Sequence, residues 1–242
     1  AKYGFYGPTE YWVVGADIKN LVDVFCIRRE ERTHYPSKGE CISVQKNPNG
    51  YKMEHYRAIS AEMISTNQPR LDAALSGDRN NNFHIFYSSI PPGFMPAPIQ
   101  VFAESDQKTI FHEAYHAYQQ SFIQTRNQDE RDALAGPIWW NEGGAEYLAY
   151  IAMMESFEDG TLKEVDAGGN RWPYDFENES KKKMEIGLPG MRELCPGQGI
   201  KDLGYGNTCQ PQYGNPAYYS IGAWAIAYLD DKHGSDAVKT VF

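Results

Sequence analysis

The sequence contains no apolar run approaching the roughly 20 residues that cross a bilayer, so a membrane-spanning helix is not expected. It also lacks a basic excess: 23 Lys and Arg stand against 32 Asp and Glu, a net charge of −9. Phosphate binding needs concentrated Lys and Arg, so nucleic acid is not an expected partner. The one dense basic run, Lys181-Lys182-Lys183, is flanked by acidic residues and reads as a solvated face. Cysteine is scarce, at four residues, with no CxxC pair and no histidine at metal-ligand spacing from any of them. That excludes a cysteine-built zinc module. The opening AKYGFYGPTEY has no apolar h-region and reads as a processed start rather than a signal peptide. Internal repeats, low-complexity tracts and an EF-hand loop are missing as well.

What is present describes a soluble globular protein. Of 242 residues, 41% are hydrophobic and 23% charged, enough for one sizeable core or two small lobes. The 17 tyrosines hint at an aromatic-lined cleft. The cysteines fall into two sequence-local pairs, Cys26/Cys41 and Cys195/Cys209. Of the three connectivities open to four cysteines, the local one is expected. Each bridge then closes a loop worth about 3 kcal/mol in the chain-entropy model. Disulfides imply an oxidising compartment, so a secreted or otherwise extracytoplasmic location is expected.

Along the chain, YWVVGADIKNLVDVFCIRR reads as strand material, interrupted at most by a short helix. NPNG at 47–50 is a turn. YKMEHYRAISAEMISTNQPRLDAAL has helical spacing, with Met53, Tyr56, Ile59 and Met63 on one stripe and a break or a new helix at Pro69. NFHIFYSSI (82–90) and PIQVFAE (98–104) read as strands, separated by a proline-rich loop. Ser105-Asp106 supplies an N-cap for a helix running to about residue 124. Pro137 begins a second helix that extends to about residue 156. Residues 159–216 are rich in Gly, Pro, Asp and Asn, and 187–216 in particular reads as a long ordered loop in need of a staple. A final helix, AYYSIGAWAIAYLDDK, is closed by Gly234. The predicted fold class is α+β: a small mixed sheet lobe followed by a mostly helical lobe. The expected organisation is a single domain over 1–242, with a sheet-rich part (1–104), two active-site helices (105–158) and a helical and loop part (159–242).

The stretch FHEAYHAYQQ carries the chemistry. On a helix, His112 and His116 lie one turn apart on one face and can direct a nitrogen each at a single ion. Glu113, rotated by about 100° from His112, points where a general base should be, at the water such a centre activates. This is the HExxH arrangement of zinc peptidases. A catalytic zinc usually takes three protein ligands and keeps an open position, so a further ligand is needed. WWNEGGAEYLAY offers Glu142 and Glu146, again one turn apart. One can bind the metal, and the other can accept the second N–H of a ligating histidine. Gly143-Gly144 is costly in a helix, by about 1 kcal/mol per residue against alanine. Close approach to the first helix across the metal is the expected reason. His34, His55 and His84 read as structural or exposed, and His233 as a cation at a helix C-terminus.

HEAYH followed by WWNEGGAEYLAY resembles the gluzincin superfamily of zinc metallopeptidases, which includes thermolysin-like, aminopeptidase N-like and clostridial-type collagenase enzymes. The resemblance covers residues 98–156 well and the final helix in part. It implies one catalytic Zn2+ on His112, His116 and Glu142 in a cleft between the two lobes, with Glu113 as base. Glu146 falls where the superfamily places the carboxylate that holds the first histidine, with Glu146 as the ligand the alternative. YSIGA resembles the Y-x-x-G helix start whose tyrosine stabilises the tetrahedral intermediate. That match points to Tyr219, with Tyr218 the neighbour to exclude. By the same resemblance Ile99, Gln100, Val101, Phe102 and Ala103 form an edge strand that binds substrate backbone. The aminopeptidase GxMEN-type motif is missing, so an endopeptidase acting on peptide or protein is expected rather than an exopeptidase. The rival expectation is a catalytically silent, zinc-containing protein that binds a peptide or glycan on the same fold. Nothing in the sequence specifies an oligomeric state.

Overall fold

The computed structural model describes residues 9–33, 37–50, 52–68, 73–78, 83–90, 103–123, 125, 127–161, 176–204, 209 and 217–234. Among these the chain divides into two compact units, one up to Glu113 and one from Ala114 onward. The division passes through a single continuous helix, α4 (Ala103–Ser121).

The first unit contains β1 (Thr9–Val14), α1 (Leu21–Thr33), α2 (Lys38–Gln45), α3 (Met53–Thr66), β2 (Ala73–Asp78) and β3 (Phe83–Ser89). The three strands form a mixed sheet in the order β1-β3-β2. β1 runs parallel to β3, with Thr9 opposite His84 and Val14 opposite Ser89. β2 runs antiparallel to β3, with Ala73 opposite Ser88. The parallel pair needs a long crossover, and the chain from α1 to β2 supplies it. β3 is buried from His84 to Ser89 on both faces, as a central strand covered on two sides should be. The core joins Val14, Val22, Phe25, Met53, Tyr56, Ile85 and Tyr87. Cys26 and Cys41 lie in that core and are bonded to each other, tying α1 to α2. Ser60 on α3 donates its hydroxyl to Val14 O (2.7 Å) and accepts from Ile90 N–H (3.0 Å), which pins α3 to the ends of β1 and β3.

The α3 stripe is buried as predicted, at Met53, Tyr56, Ile59 and Met63. Two assignments are corrected. LVDVFCIRR is helix α1, not strand, because Val22, Phe25 and Cys26 recur at helical spacing and all three are buried. Residues 73–75, placed at the end of a helical stretch, belong to strand β2, whose identity comes from its pairing with β3.

The second unit takes α4 (Ala103–Ser121) beyond Glu113, then α5 (Gln128–Leu134), α6 (Ile138–Glu158), α7 (Phe176–Pro189) and α8 (Ala217–His233). A π-helical turn at Gly190–Leu194 and a 3-10 turn at Ile200–Asp202 precede α8. Pro137, in extended backbone, is the N-cap residue of α6, one position before the first turn in which its sequence place had put it. Every residue of α6 from Glu142 to Tyr150 is buried, as in a helix surrounded on all sides. α6 packs chiefly along α8, and α7 also packs on α8. The second disulfide, Cys195–Cys209, sits in a cluster with Leu203, Ala217 and Tyr218. Gly234, at φ +82°, closes α8 and donates to Asp230 O at 2.7 Å.

α4 begins at Ala103, two residues before the expected Ser105-Asp106 cap. α7 lies in the Gly-, Pro-, Asp- and Asn-rich stretch and runs to Pro189, three residues into the segment read as loop. Lys183 within α7 is not on a solvated face, unlike the exposed Lys181 and Lys182. The glycine in α6 serves a different contact from the one expected. A Cβ on Gly143 would lie 2.4 Å from the carbonyl carbon of Gly222 in α8, so the close approach is to α8 rather than to α4. Gly222 answers it: a Cβ there would lie 2.3 Å from Trp139 O.

No helix among the described residues is long and apolar enough to cross a membrane.

Candidate metal centre

α4 and α6 together build the centre. On α4, His112, Glu113 and His116 are all buried, 7 to 8% exposed, beside Tyr115, Ala117 and Tyr118. On α6, Glu142 is 8% exposed and Glu146 1%. One ligand atom from each of His112, His116 and Glu142 lies within 4.8 Å of the other two. His116 Nε2 and Glu142 Oε2 are 3.3 Å apart. A tetrahedron with metal–ligand bonds of 2.0–2.1 Å has an edge of about 3.3–3.4 Å, so this pair already stands at ligand separation. Two imidazoles and a carboxylate are donors that fit a divalent transition metal. Burial adds a second argument, because carboxylates removed from water require compensating positive charge.

Glu146 lies one turn along α6 from Glu142, as its spacing predicted. Its Oε1 is 2.6 Å from Nζ of Lys183 on α7, and both side chains are largely buried. Lys183 also lies over the Tyr150 ring, 5.9 Å from its centroid. Sequence reasoning missed this lysine by grouping it with its exposed neighbours. It also missed Gln119. The Oε1 of Gln119 is 2.7 Å from His116 Nδ1, and its Nε2 donates to Asn141 O at 2.9 Å. The i,i+3 spacing of His116 and Gln119 on one helix face is the signal that could have found it.

Tyr219 is half-buried in the first turn of α8, packed against the Cys195–Cys209 cluster and against Tyr218, at 4.8 Å between ring centroids. Tyr218 is buried within that cluster, which leaves Tyr219 the more accessible phenol of the two. Of the proposed substrate strand, Ile99, Gln100, Val101 and Phe102 lie outside the described residues, and Ala103 is the first residue of α4 rather than part of a strand. His84 is buried in β3, His55 half-buried on α3 and His233 exposed in the last turn of α8, whereas His34 lies outside the described residues.

The fold and the centre define an α+β protein with two disulfides and a buried His-His-Glu group able to hold a metal ion. No protein-family model, curated protein or solved structure matches the chain.

Proposed function

We propose that this chain is a secreted zinc-dependent peptidase of gluzincin type, acting as an endopeptidase on peptide or protein, with its centre in a cleft. The observation that carries the reading is the buried His112-His116-Glu142 group with Glu113 buried beside it on the same helix. The HExxH-plus-glutamate pattern of the sequence supports it, and the two disulfides fit an extracytoplasmic location. Bound zinc supplies Lewis acidity for the scissile carbonyl and lowers the pKa of the attacking water. Glu113 takes a proton from that water and later delivers it to the leaving amine. Tyr219 donates its phenolic O–H to the developing oxyanion.

The test combines metal quantitation with mass-spectrometric profiling of a cleaved peptide library, for the wild type and Glu113→Gln. The expected outcome is one zinc per chain in both proteins, with turnover in the variant lower by about 10²–10⁴-fold. Undiminished turnover in Glu113→Gln refutes the mechanism. Stoichiometric zinc with no cleaved peptide in the wild type replaces the enzyme reading with that of a silent binding protein.

A further inference from the structure

We propose that Gln119 is a positioning residue that fixes the proton on His116 and so presents the His116 Nε2 lone pair to the metal. The inference rests on the reading of His112, His116 and Glu142 as metal ligands.

Asn141 O can only accept a hydrogen bond, and the group 2.9 Å from it is the side-chain amide of Gln119. That end of the amide must therefore be the NH2. The other end, 2.7 Å from His116 Nδ1, is then the carbonyl oxygen, which also can only accept. Nδ1 must carry a proton. In a neutral imidazole the lone pair is then left on Nε2, the nitrogen that stands 3.3 Å from Glu142 Oε2 at ligand separation. Flipping the amide would set two carbonyl oxygens 2.9 Å apart. Gln119 is 8% exposed, so water is poorly placed to relieve that repulsion. One amide orientation, and through it one tautomer, satisfies the whole chain of contacts.

The same relay has a geometric consequence. Asn141 immediately precedes the ligand Glu142, so Gln119 joins a ligating ring on α4 to the peptide unit beside a ligand on α6. Ligating histidines usually donate their second N–H directly to a carboxylate, a backbone carbonyl or water. Here the carbonyl is reached through an interposed amide, which holds the ring orientation and the spacing between the two helices at once.

The experiment uses the full chain and two substitutions. Gln119→Met keeps the length of the side chain but removes the acceptor. Gln119→Glu keeps an acceptor for Nδ1–H and gives up the donor to Asn141 O. Zinc affinity is measured by competition with a chromophoric chelator. The imidazole tautomer is read by 15N NMR in metal-free protein, at a pH where the ring is neutral. The wild type is expected to show Nδ1–H at His116. Gln119→Met is expected to bind zinc about 10–100-fold more weakly, with Nε2–H newly populated. Gln119→Glu is expected to restore the Nδ1–H tautomer and only part of the affinity, since its second oxygen faces Asn141 O with no hydrogen between them. A residue that merely packs would leave the tautomer unchanged in all three proteins. Wild-type affinity in Gln119→Met, or Nε2–H at His116 in the wild type, overturns the proposal. If Gln119→Met fails to fold, the wild-type tautomer and the Gln119→Glu affinity still decide. A wild-type protein that binds no zinc sinks the metal reading instead, and the tautomer measurement then judges Gln119 separately.

Discussion

Replacing Gly143 with alanine opposes two effects whose sizes differ enough to decide the outcome. In an unhindered helix, alanine is favoured over glycine by about 1 kcal/mol. At position 143 the new Cβ would lie 2.4 Å from Gly222 C, 2.5 Å from Gly222 Cα and 2.7 Å from Ala223 N. All three are backbone atoms of α8, so no side chain can swing aside. Ordinary contact begins near 3.4 Å, which requires α6 and α8 to part by about 1 Å. Overpacking of this kind costs about 1–3 kcal/mol, and backbone-to-backbone crowding belongs at the upper end or above it. The net expectation is a loss of about 2 kcal/mol, or a melting temperature about 4–8 °C lower for a chain of this size. Affinity for a divalent metal should fall too, because Gly143 follows Glu142 and the separation displaces that carboxylate from the imidazoles. Urea unfolding followed by tryptophan fluorescence is the suitable assay, since Trp139, Trp140 and Trp224 lie on α6 and α8. Gly39→Ala is the control: it lies in α2, exposed, with nothing within 4 Å of an added Cβ, and should gain up to about 1 kcal/mol. The reasoning is refuted if Gly143→Ala is as stable as the wild type, or gains stability as the control does.

Two further perturbations test other parts of the fold. Lys183→Met leaves the nearly inaccessible Glu146 without its ammonium and should cost about 3–5 kcal/mol in urea unfolding. Adding Glu146→Gln should recover part of that loss, and equal stability of the single and double variants would count against the ion pair. Ser37→Ala removes the hydroxyl that accepts from Glu40 N–H and donates to Glu40 Oε2 in the α2 capping box, and leaves the backbone N–H of residue 37 on Glu40. In the wild type, the Ser37 side chain and then its backbone N–H hold the Glu40 carboxyl below its usual value. A depressed folded-state pKa stabilises above the unfolded value, and that contribution disappears as pH falls through the folded one. The melting-temperature gap between wild type and Ser37→Ala should therefore narrow as pH drops below about 4.3, the ordinary glutamate value. A gap independent of pH would contradict this account.

What could be read from the sequence follows from where the physical signal resides. The α3 stripe was legible because its buried residues recur at one period along one segment. The same logic exposed His112 with His116, and Glu142 with Glu146, since each pair lies one turn apart. α1 carries an equally regular pattern, but its β-branched residues favour a strand on propensity alone, and burial of one face overrode that preference. β2, with the sequence AALSGD, has little strand character of its own, so only the partner strand defines it. The role of Gly143 was half legible. A glycine inside a helix implies a close neighbour, but the identity of that neighbour depends on packing between elements distant in sequence. Lys183 was concealed for the same reason, because its partner lies on another helix.

The formal charges of the centre constrain what it can hold. α4 and α6 bury three carboxylates in the segments that carry the ligands: Glu113, Glu142 and Glu146. Lys183 offsets one of them. With both imidazoles neutral, these four groups sum to two negative charges, the amount a divalent cation neutralises. The geometry points the same way, since the residue already paired with lysine is Glu146, and the carboxylate grouped with the imidazoles is Glu142. A glutamate engaged at 2.6 Å by an ammonium is a poorer competitor for a metal than one that stands at ligand separation from a neutral imidazole. Lys183 thus helps decide between two glutamates one helical turn apart, a choice their spacing alone leaves open. Exchanging it for a neutral residue would weaken that distinction while leaving His112, His116 and Glu142 in place.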